Sequence, residues 1–207
     1  RVDTLVAEHW RAAKGLPTHL RITEINGTKY PHVTSILQPD PLGMDPALLK
    51  CYATRGTEIE RLCVEFIHTG KWEEPQGDIG KLKWTDIKYK EFFEQFGARF
   101  DWSTAQFQIP LRNERHRYCG TADAVTILDR NLIILDFKTG QWSWPQIVAY
   151  AESDHDKFIR NVAIADLKKC KLEILHHVSD DYIDDEWLDA WETFLVKRGE
   201  FKARFGF

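Results

Sequence analysis

Residues 117–150 read RYCGTADAVTILDRNLIILDFKTGQWSWPQIVAY, and the fold of the chain turns on how this stretch pairs with itself. Tyr118–Leu128 and Leu132–Lys138 are apolar runs of strand composition, separated by Asp129-Arg130-Asn131, which reads as a tight hairpin. Asp136 and Lys138 stand two apart, so a strand sends both to one face and Leu135 and Phe137 to the other. Whether Asp123 joins them depends on register. A turn centred on Arg130 pairs Asp136 with Ala124 and leaves Asp123, opposite Phe137, on the wrong face. A two-residue loop at Asp129-Arg130 sets Asp123 opposite Asp136, with both carboxylates on one face. Ile133-Ile134-Leu135 makes a buried strand, and ending it in Asp and Lys is costly unless they reach a cleft.

Working outward, Gln106–Leu111 is a further strand-like run before the hairpin. After it, Pro145 to Glu152 reads as a helix with Pro in its first turn. Asn161–Leu167 and Leu172–His177 return to strand character around the polar turn Lys168–Lys171. Asp184–Arg204 carries Trp187, Leu188, Trp191, Phe194 and Leu195 at helical spacing, and the stripe of Trp187 and Trp191 with Phe194 reads as core. Towards the N-terminus, residues 86–99 form an amphipathic helix, and Asp45-Pro46 caps one or two helices running to Gly70. Asn26-Gly27 lies between strand-like segments in LRITEINGTKYPHVTSIL, a hairpin signal, and Val2 to Lys14 has the spacing of a short helix. The reading is α/β, strands in the middle and helices on either side. It describes one domain over residues 1–207, with a mainly helical portion to about residue 100 and an α/β core from about 101.

The formal net charge is −4, which does not favour a polyanionic partner, but the charge is unevenly spread. Asp180 to Glu192 holds seven acids and no Lys or Arg, and the tail then turns basic at Lys197, Arg198, Lys202 and Arg204. An acidic face turned away from a basic groove reconciles that sum with DNA binding. The four cysteines are far apart and form no C-x-x-C pair, which argues against a zinc ribbon or iron–sulfur cluster and for reduced thiols. No apolar run approaches the roughly 20 residues of a membrane span, and the N-terminus has no apolar signal core. An intracellular setting is expected. The first residue is Arg rather than Met, as in a trimmed or processed chain.

Asp123, Asp136 and Lys138 together suit phosphodiester hydrolysis. Hard carboxylate oxygens hold Mg²⁺ or Mn²⁺, which activates water and relieves charge on the phosphate. A lysine alongside orients the water and stabilises developing negative charge. The plain alternative is a surface ion pair at a hairpin end.

The sequence Gly120-Thr121-Ala122-Asp123, then Leu135-Asp136-Phe137-Lys138-Thr139-Gly140, then QIVAY at Gln146–Tyr150, resembles the PD-(D/E)XK nuclease superfamily in its RecB-like exonuclease branch. RGTEIE at Arg55–Glu60 resembles that branch's R-G-T-x-x-H segment. YPHVTSIL at Tyr30–Leu37 is similar to the lead-in of mitochondrial genome maintenance exonucleases and related phage proteins. The ordered matches span residues 30–150. The resemblance implies a restriction-endonuclease-like central mixed β-sheet flanked by helices, and cleavage of DNA, single-stranded or with free ends. It also implies a metal held by Asp123, Asp136 and the Phe137 carbonyl, Lys138 acting on water, and Gln146 and Tyr150 positioning the DNA backbone or the catalytic groups. Glu60 stands where the branch has His, and a carboxylate is an equally legitimate ligand for a hard cation.

Further contacts are weaker. Arg55, Arg112, Arg115 and Arg117 are candidate phosphate contacts or ordinary solvated cations. Trp142 and Trp144 either stack on unpaired bases or pack in the core or a lid. An exonuclease of DNA replication, repair or recombination is expected. The rivals are a junction-resolving or restriction-type endonuclease of the same fold, a non-catalytic nucleic-acid-binding module, and an enzyme of small phosphates.

Overall fold

A computed structural model describes residues 20–38, 45–153, 159–177 and 184–207. The helix expected at Val2 to Lys14 and the first two acids of the acidic run, Asp180 and Asp181, lie outside the described residues.

The described residues begin with a small antiparallel hairpin, β1 (Ile22–Ile25) and β2 (Thr28–Pro31). Asn26 and Gly27 turn it with φ of 50° and 75°, the double left-handed geometry an Asn-Gly pair adopts at least cost. The strand-like reading does not extend past this hairpin, because Val33–Leu37 is a short helix, α1. Val33 and Ile36, one helical turn apart, both enter the core, which a strand's alternation would not allow.

A single helix, α2 (Pro46–Thr69), then runs to Gly70. The Asp45 side chain accepts from Ala47 N–H at 2.9 Å, Pro46 opens the first turn, and Gly70 closes the helix in the left-handed conformation. The helix expected over 86–99 is shorter: α3 covers Tyr89–Phe96, flanked by 3₁₀ turns at Trp84–Asp86 and Gly97–Arg99.

Five strands make the main sheet in the order β3-β4-β5-β6-β7: Phe100–Asn113, Tyr118–Leu128, Asn131–Lys138, Asn161–Asp166 and Lys171–His176. β3 starts earlier than its apolar run because its first residues, separated by a register shift between Asp101 and Gln106, also pair with β4. All pairs are antiparallel except β5–β6, which is parallel and bridged by α4 (Trp144–Ala151), so the sheet is mixed. The last helix, α5, covers Asp185–Phe205.

Alternation along β5 and β6 splits the core in two. Ile134, Val162 and Ile164 pack with α1, α4 and α5, where Phe194 and Trp187 are buried. Leu135, Phe137, Ala163 and Ala165 pack with α2 and α3 through Ile59, Leu62, Phe92 and Phe93. Helices therefore cover both sides of the sheet, an α/β architecture. Among the described residues no helix is long and apolar enough to cross a membrane.

Candidate active site

The hairpin at Asp129-Arg130 has the two-residue loop. Both loop residues are left-handed, at φ 47° and 72°, and pairing runs from Leu128–Asn131 to Ala124–Leu135. Continued one step, this register sets Asp123 opposite Asp136. The backbone ladder ends there, and the Asp123 carboxylate instead accepts the Phe137 N–H at 2.8 Å. On the other edge of β4, pairing passes from Phe107–Ala124 to Ile109–Ala122 and omits Gln108–Asp123. Gln108 has φ +53°, a conformation costing a non-glycine residue on the order of 1–3 kcal/mol. Asp123 thus sits at a break in both ladders.

Asp136, 2% exposed, lies at the end of β5 with Oδ2 2.5 Å from the Lys138 Nζ. The two form an ion pair without an aligned hydrogen bond, so this buried oxygen lacks a proper donor. Burial pulls the Lys138 ammonium down, but Asp136, Asp123 and Glu60 outweigh it and hold its pKa above the ordinary lysine value. Asp123 is pushed well above the carboxylate range, first by burial and then by Asp136 and Glu60, which Lys138 and the Phe137 N–H offset only in part.

Glu60 comes from α2. Its neighbour Arg61 is taken by Glu58 and Glu73, at 3.0 and 3.1 Å, while the Glu60 carboxylate accepts from Gln108 Nε2. Burial and then Asp136 raise the Glu60 pKa, against the opposing pull of Gln108 and Lys138. Among the described residues one cation, Lys138, therefore serves three mutually repelling carboxylates. They do not close into a ready-made cage: among the described residues no group of three His, Cys, Asp or Glu side chains could hold a metal ion as it stands. Their chemistry fits a hard divalent cation nonetheless, through oxygen donors, a surplus of negative charge and a buried oxygen without a proper donor.

Gln146 and Tyr150, one turn apart on α4, meet through Nε2 donating to the phenol oxygen at 3.1 Å. Tyr150 is buried, and burial together with Asp136 and Asp123 keeps its hydroxyl protonated. Its ring lies against Gly120, where any Cβ would collide with it.

The outer candidates divide. Arg55 is buried, and its guanidinium donates to the Thr139 carbonyl at 2.7 Å, just past Lys138. It braces the end of β5, whereas a phosphate contact would need it exposed. Trp142 donates to Asp166 at 2.9 Å and packs edge-on with Trp144, both against the core. Both tryptophans are half-buried, packed on the core on one side and open on the other. Arg112, Arg115 and Arg117 are exposed around the β3–β4 turn, Arg112 paired with Glu114 at 2.7 Å. A groove of about 460 Å³, lined by Thr23, His32, Arg112, Glu114, Cys119 and Thr121, opens along the first part of β4.

Two residues here escaped the sequence reading. Arg21 is exposed, and its charge reaches Tyr150 and Cys119. Gln108 touches Glu60 and faces Asp123 across the ladder break. Neither carries a motif signal, because both are brought in by tertiary packing. Compared with protein-family models and with curated proteins, the sequence matches none.

Proposed function

We propose that this protein is a divalent-metal-dependent deoxyribonuclease with a PD-(D/E)XK, restriction-endonuclease-like fold, acting as an exonuclease on DNA that is single-stranded or has free ends. One observation carries the reading: Asp123, Asp136 and Glu60 converge, partly or wholly buried, around a single lysine, leaving a charge deficit that Mg²⁺ or Mn²⁺ would fill. Asp123 and Asp136 with the Phe137 carbonyl would hold the ion, joined by Glu60. When bound, it supplies Lewis acidity towards a phosphate and makes water easier to deprotonate.

The chain's own residues supply the rest. Lys138, kept charged by its three carboxylate neighbours, is a donor and not a base. It orients the attacking water and meets the charge that grows on the phosphate. Tyr150, protonated and bonded to Gln146, offers a neutral hydroxyl on the buried side. Arg112, in the groove along β4 where it is paired with Glu114, and Arg21, whose charge reaches Cys119 on the groove wall, would meet backbone phosphates.

Purified protein incubated with end-labelled linear DNA and with closed circular DNA, in Mg²⁺ or Mn²⁺, tests this directly. Loss of linear DNA from its ends, abolished by chelator and by Asp136→Asn, is expected. Cleavage that persists in excess chelator would sink it, and cleavage of circles would make the enzyme an endonuclease.

A further inference from the structure

We infer that Gln108 is a positioning residue that presents Glu60 to the cation site, an inference that rests on the nuclease reading above. Three linked features of the structure meet at this side chain. It holds a left-handed backbone, φ +53°, in the interior of a strand where extended geometry is the rule. That backbone interrupts the β3–β4 ladder at the step where Gln108 would pair with Asp123. The amide so displaced reaches α2 and donates to Glu60 Oε1.

The physical consequence concerns reach. Glu60 stands on a helix, Asp123 and Asp136 on strands, and the surplus negative charge drives the Glu60 carboxylate away from the other two. A glutamate has three rotatable side-chain torsions and, unheld, would swing to solvent. The Gln108 amide ties one oxygen and opposes that swing. The second oxygen, Oε2, receives no hydrogen bond from any described residue and remains free to bind a cation. Gln108 also carries no charge. It can therefore fix Glu60 without neutralising it, which an Arg or Lys at the same place would do at the expense of cation affinity.

The local backbone supplies a clean variant. Gln108→Gly accepts the positive φ without strain and deletes the exposed side chain with its amide, so folding is preserved. Mn²⁺ binding, followed by water-proton relaxation without DNA, is compared in wild type, Gln108→Gly, Glu60→Ala, the double variant and Asp136→Asn. Thermal melts in chelator accompany each. Binding by Gln108→Gly about tenfold weaker than wild type is expected, with melting no lower than wild type because glycine relieves the positive φ. In the Glu60→Ala background the same substitution should cost nothing further, because the carboxylate it acts on is gone.

Equal affinity of wild type and Gln108→Gly, with Asp136→Asn impaired, overturns the role of Gln108 and leaves the nuclease reading standing. A loss that persists undiminished in the Glu60→Ala background also overturns it, since Gln108 would then act by another route. A wild-type protein that takes up no Mn²⁺ removes both.

Discussion

The Tyr150 ring lies flush against Gly120, so close that a Cβ at position 120 would overlap it, with Cδ1 at 3.1 Å and Cζ at 3.4 Å. Gly120 opens the Gly-Thr-Ala-Asp segment and Tyr150 ends the Gln-x-x-x-Tyr helix, so two stretches thirty residues apart in sequence are locked by one contact. The absence of a side chain at 120 is what lets α4 bring a buried hydroxyl towards Asp136.

Gly120→Ala should therefore destabilise the protein by about 1–3 kcal/mol, the usual cost of overpacking a filled site. Tyr150→Phe keeps the ring, forfeits only the hydrogen bond from Gln146, and should cost about 0.5–1.5 kcal/mol. Denaturant melts of the two variants check the ranking. An alanine variant as stable as wild type would show that α4 can shift.

Charge repulsion at the site should be visible in metal-free stability. Asp123 and Glu60 have folded pKa values raised above their unfolded ones, so the folded state binds protons more tightly. Stability must then fall as pH rises from about 4 through the raised values. Asp123→Asn removes part of that loss. In chelator it should melt above wild type at neutral pH, with the gap closing towards pH 4. A gap that is constant across this range would mean that Asp123 is not perturbed.

Cation binding should release protons, because carboxylates whose pKa is raised by burial and then by their neighbours give up protons more readily once a cation is bound. Affinity for Mn²⁺ should rise with pH above the ordinary carboxylate range. Calorimetry in buffers of different ionisation enthalpy measures the proton count, and a heat that is independent of buffer would contradict the prediction.

Glu60→Ala should weaken cation binding, whereas Glu65→Ala should not. Five residues further along α2, Glu65 points about 140° away on a helix of 3.6 residues per turn. A metal titration showing the reverse order would assign the wrong glutamate.

Lys138→Ala should lower single-turnover cleavage by about 10²-fold or more while leaving DNA affinity in Ca²⁺ close to wild type. Binding has other cations to draw on, among them Arg112 and Arg21, whereas Lys138 stands within 2.5 Å of Asp136. The salt dependence of binding should change by about one phosphate contact at most. A large loss of affinity with undiminished cleavage would make Lys138 a binding residue only.

Local rules were enough for the elements whose causes are local. Asn26-Gly27 specifies its own turn, Asp45-Pro46 and Gly70 mark the two ends of α2, and the stripe from Trp187 to Phe194 buries itself as a helix. Alternation alone put Asp136 and Lys138 on one face, and their ion pair shows that it did. Where causes are distant, local rules fell short. Val33–Leu37 is rich in strand-formers yet is helical, because both Val33 and Ile36 face one core. Arg55 looks like a free cation in a list of residues, and only the neighbouring Thr139 carbonyl reveals it as a brace.

The register of the β4–β5 hairpin marks the boundary most clearly. The sequence by itself determined that Asp123, Asp136 and Lys138 would lie near one hairpin end, but it allowed two pairings one residue apart. In the tertiary structure Arg99, just ahead of β3, grips Asp129 with its guanidinium, at 3.1 Å from Nε to Oδ2, and its carbonyl accepts the Asp129 N–H at 3.2 Å. That grip supports a turn whose residues are both left-handed without a glycine. The two cores complete the selection, since β5 must deliver Ile134 to one and Leu135 and Phe137 to the other. A slip of one residue in the pairing would face Asp123 against Phe137 and part the two carboxylates. The strand period of two is written in the chain. The choice between two registers of equal local merit is not, because it depends on what packs against each face.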